Sequence, residues 1–273
     1  MANYIDIAVN LLSPQFADKI DNVINDAASH QVSPLIVIGS DIQESLDANS
    51  LCQQYPQQLY STAGVHPHHA KDWDEHSEQI IKQLCQQEHV VAVGECGLDY
   101  NRDFSPRAQQ RDVFAKQLAI AAEINMPVLM HCRDAHDDFI DILSQYRPHL
   151  PNALLHCFTG NHEQLTECIA QDIYIGVTGW VCDERRGKEL AELVPLIPNN
   201  RIMAETDSPY LLPRSMRPKP KSSKNLPQYL PYIVEYMANL RQQNVAEFAQ
   251  HCYQNSQHFF GLPHVSKANT NDW

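Results

Sequence analysis

Val90-Val91-Ala92-Val93-Gly94-Glu95-Cys96-Gly97-Leu98-Asp99 is the stretch whose reading decides the fold. Its β-branched run reads as a strand buried on both faces. Gly94 follows, then the Glu95 carboxylate, then a second glycine at which the chain can turn into a loop. An apolar strand that ends in an acid and a turn is how a parallel α/β sheet presents a catalytic group at its carboxyl edge. The same grammar returns at Pro127 to His131, Ala153 to His156 and Ile202 to Asp207. Four apolar strands therefore finish in Glu, His, His and Asp.

Outward from that stretch, further strands read at Ile5 to Val9, Leu35 to Ile38, Leu59 to Val65 and Ile173 to Val177. Between them apolar residues recur at helical spacing, as in the Phe16, Ile20, Val23, Ile24, Ala27 series and in Val113, Phe114, Leu118, Ala121. Ser105 is placed to cap the second of these helices, with Pro106 at its first position. Two more helices are expected over Tyr229 to Phe260. Eight strand–helix alternations match a (β/α)8 TIM barrel, typically about 250 residues long. The rival, an open doubly wound sheet with a nucleotide site, lacks both G-x-G-x-x-G and G-x-x-x-x-G-K-[ST]. With no Pro/Gly/Ser-rich linker, the expectation is one barrel domain over residues 1–263 and a polar tail over 264–273.

No run of about 20 apolar residues and no basic-then-apolar leader is present, which predicts a soluble cytoplasmic protein without a membrane partner. The eight cysteines form no C-x-x-C pair and fit reduced, buried thiols. A net charge of −13 argues against a surface coated for phosphate. Charge is uneven, however. Between Asp207 and Glu235 the chain carries Arg214, Arg217, Lys219, Lys221 and Lys224 and no acid, a local basic loop able to hold a polyanion.

In a barrel all strand ends converge on one mouth, so Glu95, His131, His156 and Asp207 would meet there. Two imidazoles and two carboxylates suit a divalent cation kept open for chemistry. Asp207, where it is not a full ligand, is placed to accept a proton from water. Each residue has a plainer reading: a strand-end histidine can be a hydrogen-bonded core residue, Asp207 before Ser-Pro can cap a turn, and Glu95 can be a structural acid. Recurrence at four strand ends weighs against coincidence. His66, among His66, His68 and His69, is the one expected to touch substrate, with at least one of the three exposed. Arg133 is a candidate phosphate clamp, its alternative being an ion pair with Asp134 or Asp137. Arg185 and Arg186 read as a solvated charge cluster, and Trp180 as barrel core or a base-stacking surface. Cys96, Cys132 and Cys157 each follow a proposed ligand, so strand alternation turns these thiols toward the helices.

Taken in order, Gly64-Val65-His66-Pro67-His68, Gly94 to Asp99, Met130-His131-Cys132-Arg133, Leu155 to Gly160 and Glu205 to Leu211 resemble the TatD family of metal-dependent hydrolases. The likeness extends to Gly179 to Gly187. That resemblance implies a barrel of the amidohydrolase type and a 3′–5′ exonuclease acting on single-stranded DNA and RNA. It also implies a cytoplasmic location, magnesium as activator, and a link to repair or degradation of DNA. The family's metal positions fall on Glu95, His131, His156 and Asp207, and Glu95 and Asp207 would be catalytic. One departure matters. Many members begin with Asp-x-His-x-His, whereas here the strand reads Asp6-Ile7-Ala8-Val9-Asn10. The expectation is one firm metal position at Glu95, His131 and His156, and a weak second one near Asp207.

Magnesium comes from the resemblance alone, since two imidazoles suit manganese or zinc as well. Substrate phosphates would be held by Arg133, Arg214 and Lys219, with His66 alongside, and a monomer is expected. Two other readings use the same residues: an amidohydrolase or esterase acting on a small molecule or aminoacyl ester, and a non-catalytic scaffold.

Overall fold

The computed structural model describes residues 3–263, and the tail expected at 264–273 lies outside the described residues. Eight strands form one sheet: β1 (Tyr4–Val9), β2 (Val32–Val37), β3 (Leu59–Ala63), β4 (Val90–Asp99), β5 (Val128–Arg133), β6 (Ala153–Leu155), β7 (Tyr174–Val177) and β8 (Ile202–Ala204). They pair in sequence order and in parallel. The first and last strands meet where Asp207 N donates to Ala8 O at 3.0 Å and Asn10 N donates to Ser208 O at 2.8 Å. The result is the nearly closed barrel that the strand–helix alternation predicts.

Helices α1 (Ile20–Ser29), α2 (Ile42–Gln54), α3 (Ser77–Leu84), α4 (Arg107–Glu123), α5 (His136–Tyr146), α6 (His162–Ala170) and α7 (Lys188–Leu193) alternate with the strands. Then α8 (Leu230–Leu240) and α9 (Val245–Phe260) follow β8. No described helix is long and apolar enough to cross a membrane. Outward residues such as Val37, Val93, Met130 and Ile175 pack with helix residues such as Ile24, Phe114 and Phe139 in one continuous cluster. Phe114 and Phe139 stack at 5.3 Å and join α4 to α5. Burying each such side chain contributes roughly 1.5–3 kcal/mol.

Inward residues make a second cluster, in which Ile7, Ile36, Leu129, Leu154 and Met203 join Tyr253, Phe259 and Phe260 of α9. Tyr174, at the start of β7, meets Phe259 edge-on at 5.4 Å. Aromatic side chains of α9 thus pack at the strand starts, and the polar strand ends lie at the other mouth.

Two local expectations fail. Phe16 belongs to a short 3-10 turn, Pro14–Phe16, and α1 begins only at Ile20, because Asp18 takes φ 61° and interrupts the helical run. Ser105 does not cap α4, whose N-cap is Pro106. Its hydroxyl donates to His68 O and accepts from Lys71 N, tying the loop after β4 to the Pro67–Asp72 turn.

Candidate metal centre

Glu95 is the hub of the barrel mouth. Its Oε1 lies 2.6 Å from His156 Nε2, 3.1 Å from His131 Nδ1 and 3.5 Å from His66 Nε2. Glu95 projects from β4 and His131 from β5, while His156 directly follows β6. His66 follows β3 and opens the Pro67–Asp72 turn by accepting from His68 N through Nδ1. Three of the four residues expected together are therefore in contact, and His66, expected only at substrate, packs against the same carboxylate. The three donors that the described residues bring within 4.8 Å of one another are those of His66, Glu95 and His131. His156 completes the set around Glu95, its ring 6.0 Å from that of His131.

Charge in this cluster is strongly coupled. Burial alone would raise the Glu95 carboxyl, but His156, His66 and His131 outweigh it and hold Glu95 well below the usual carboxylate range. Burial would lower His156, yet Glu95 and Glu205 raise it well above the ordinary imidazole value. Asp99 and Glu95 do the same for His131 against its burial. His66, with only Glu95 to offset its burial, is held well below.

This donor set fits a cation. One carboxylate oxygen faces three imidazole nitrogens, and His131 Nε2, His156 Nδ1 and Glu205 Oε2 are buried without a hydrogen-bond partner among the described residues. His131 Nε2 and His156 Nδ1 face Asp99 and Glu205, at 3.4 Å each, which leaves His131 Nδ1, His156 Nε2 and the Glu95 carboxylate to meet a cation. Mixed imidazole and carboxylate ligation suits zinc or manganese, and magnesium through its oxygen donors.

Asp207 sits beside this group and is only partly buried. Burial pushes its carboxyl up to about 7, with His156 opposing and Glu205 and Glu95 reinforcing the rise. Asn10 Nδ2 donates to Asp207 Oδ1 at 2.9 Å. The first strand thus contributes to the site after all, as a hydrogen-bond donor and not through histidines.

Two acids escape the reading of strand ends. Asp99 Oδ2 lies 2.8 Å from His68 Nε2 and 3.4 Å from His131 Nε2, so it positions His131 from the side away from Glu95. Burial opposes its ionisation, yet His131 and His68 outweigh it and hold Asp99 below its usual range. Gly97 makes this possible: its φ is +140°, and a Cβ there would sit 1.9 Å from His131 O. Glu205 accepts from Cys157 N and reaches within 3.4 Å of His156 Nδ1. It fits only because Gly176 has no side chain, since a Cβ would come within 2.7 Å of Glu205 Oε1. The signal for both was in plain view, a second carboxylate beside each strand-end ligand.

Alternation holds for Cys96 and Cys132, which pack outward with the helices. It fails at Cys157. β6 ends at Leu155, Cys157 takes φ 48°, and its thiol approaches Thr178 Oγ1 at 4.0 Å. Burial first, then Asp207 and Glu205, push that thiol well above its ordinary value, which leaves it no nucleophile.

Of the expected substrate residues, Arg133 points from β5 along the mouth, 3.4 Å from Thr159 Oγ1 and 5.7 Å from the centre of the Trp180 ring. Its contact with Asp134 is a marginal 4.0 Å. Trp180 carries Arg186 at 4.4 Å from its ring centre, while Arg185, Arg186 and Arg214 surround the buried Asp183 carboxylate. Arg214 is thus partly engaged by protein, whereas Lys219 and Lys221 are exposed. His69 is the most open of the three histidines, though still half-buried, and pairs with Asp72.

Comparison with known proteins agrees with this geometry. The profile of TatD related DNases matches residues 5–261. A protein of Erwinia tasmaniensis named 3′-5′ ssDNA/RNA exonuclease TatD is 49% identical over 257 residues, covering 94% of this chain and 99% of its own. The protein of that name from Escherichia coli K12 is also 49% identical, covering 94% and 98%. Among solved structures, a TatD homologue from Escherichia coli superposes with a TM-score of 0.86 at 24% identity, over 95% of this chain and 98% of its own. An Entamoeba histolytica hydrolase of the TatD family gives 0.84 at 24% identity, over 95% and 99%. With sequence, barrel and strand-end residues in agreement, the chain belongs to the family of TatD related DNases.

Proposed function

We propose that this protein is a metal-dependent nuclease that hydrolyses phosphodiester bonds of single-stranded DNA and RNA from the 3′ end. The observation that carries the reading is the meeting of Glu95 with His66, His131 and His156 at one barrel mouth. The names of relatives about half identical over nearly the whole chain support the substrate class. Glu95, His131 and His156 would hold the firm cation position, with His66 beside them, and Asp207 would hold a weaker second one. Magnesium is the proposed activator. A bound divalent cation supplies Lewis-acid polarisation of a phosphoryl oxygen and lowers the pKa of water.

The chain's own residues do the rest. Asp207, raised to about 7 and fixed at Oδ1 by Asn10, accepts a proton from water near neutral pH. Asp99 keeps the His131 ring in place. Arg133, steadied by Thr159 and Trp180, holds a phosphate, and Arg214 and Lys219 line the strand's path farther out. A cytoplasmic monomer that degrades DNA strands, or trims them during repair, is the cellular role this chemistry fits.

The test incubates 5′-labelled single strands with protein and magnesium, with and without chelator, beside Glu95→Ala. The expected result is progressive shortening from the 3′ end by the wild type only, at least 100-fold faster than by the variant. Equal shortening by both proteins overturns the assignment.

A further inference from the structure

Phe104 is a large apolar side chain left 54% exposed in the loop between β4 and α4. Single exposed apolar residues are ordinary on protein surfaces. This one differs in how firmly its loop is built. Asp99 Oδ1 accepts from the backbone N–H groups of Asn101 and Arg102 at 3.0 and 2.9 Å. Gln110, fully buried, donates to Asp99 O and Ser105 O and accepts from Asp99 N. Asp103 is clamped by two nitrogens of Arg107 at 2.9 and 2.7 Å, and Ser105 is tied to His68 O. A loop fastened on both sides of Phe104 holds that ring out at a set angle instead of letting it fold inward.

Its position relative to the metal centre is the second observation. The Phe104 ring lies 4.7 Å from His68, His68 lies 4.2 Å from His66, and His66 lies 4.6 Å from His131. A continuous row of rings therefore leads from solvent to the imidazoles around Glu95. The Arg102 guanidinium stands 6.0 Å from the Phe104 ring centre and adds a cation at the outer end of the row. An aromatic face with an arginine beside it is the chemistry that recognises an unpaired nucleobase and its phosphate, because every base has a π-face.

We propose that Phe104 is a stacking platform for the nucleobase flanking the scissile phosphate, with Arg102 as its cationic partner. The inference rests on the nuclease reading above and deepens it. A base that lies on Phe104 has left its place in a duplex, so the platform selects single strands without reading their sequence.

The test measures KM and kcat for wild type, Phe104→Ala, Phe104→Leu and Phe104→Trp on two 5′-labelled strands. One is an ordinary oligonucleotide, and the other lacks the bases of its last two nucleotides. On the ordinary strand Phe104→Ala and Phe104→Leu should raise KM about 5- to 150-fold, the range expected for one lost stacking contact, with kcat little changed. Phe104→Trp should restore wild-type KM. On the abasic-ended strand all four proteins should coincide. Phe104→Leu keeps an apolar side chain and guards against a trivial loss of folding, which melting temperature checks. The proposal is overturned if Phe104→Ala and Phe104→Leu match wild type on the ordinary strand, or if they lose as much on the abasic one. A wild type that cleaves neither strand overturns the nuclease reading and the platform with it; an active wild type beside indifferent variants overturns the platform alone.

Discussion

Asp6→Asn should make the folded protein less sensitive to pH, and the reason lies in the seam that closes the barrel. Asp6 is fully buried in β1. Its Oδ1 accepts from Thr206 N at 2.9 Å and its Oδ2 meets the Thr206 hydroxyl, which also bonds Ser208 Oγ at 2.9 Å. Burial pushes this carboxyl up to about 8; the Thr206 hydrogen bonds offset only part of that, and Glu205 adds to it. In the unfolded chain the same group titrates near its ordinary value of 3.8. Between those values the folded state holds a proton that the unfolded state has released. Stability contributed at Asp6 is therefore complete below about pH 4 and lost as pH rises through about 8. The loss accumulates to roughly 3–5 kcal/mol between pH 4 and pH 7, at about 1.4 kcal/mol per pH unit. Asparagine reproduces the protonated acid, offering an oxygen to Thr206 N and an N–H to the Thr206 hydroxyl, without the titration. Urea unfolding of both proteins from pH 5 to pH 8 measures the difference. The asparagine variant should gain on wild type at each step upward in pH. Two curves running parallel across that range would mean that Asp6 is ionised in the fold, and the argument would fail.

Asp99→Asn should weaken binding of manganese or zinc about 10- to 100-fold by loosening His131, the usual cost of losing a partner behind a metal ligand, and excess metal should recover the activity. Titration calorimetry decides; unchanged affinity would remove Asp99 from the site. Asn10→Ala takes the donor from Asp207 and should lower kcat about 10- to 100-fold with little change in KM, in line with the roughly 1.5–3 kcal/mol of a hydrogen bond to a charged group. A change confined to KM would place Asn10 at the substrate instead. Gly97→Ala forces a Cβ onto His131 O at a backbone angle few side chains tolerate, so unfolding should be easier by about 2–5 kcal/mol. A melting temperature within about a degree of wild type would show that the strand yields at little cost.

What could be read from the chain depended on how far a regular backbone persists. Glu95 and His131 were legible because an apolar run leads to each and a parallel barrel brings the ends of β4 and β5 together. Alternation from each ligand to its next neighbour sent Cys96 and Cys132 to the helices. Beyond the last paired residue the rule has nothing to act on. β6 stops at Leu155, so Cys157, two positions later and at φ 48°, turns toward Thr178 instead of the helices. β4 shifts register against β5 between Val93 and Cys96, so counting along the strand could not say which of its two acids meets which imidazole. Asp99 is settled only by the approach of Gly97 to His131 O, a contact between strands that no local pattern records. Ser105 has the spacing of a helix cap, but its hydroxyl is claimed by the turn after β3. Arg214 reads as free charge in a basic loop until the fold brings Asp183 and Glu184 to it. At the site, each of these misses is a polar group or thiol whose partner lies on another strand end or loop of the mouth. The sequence pattern locates that mouth, and contacts between its loops decide which polar group serves the cation, which serves substrate and which serves only its neighbour.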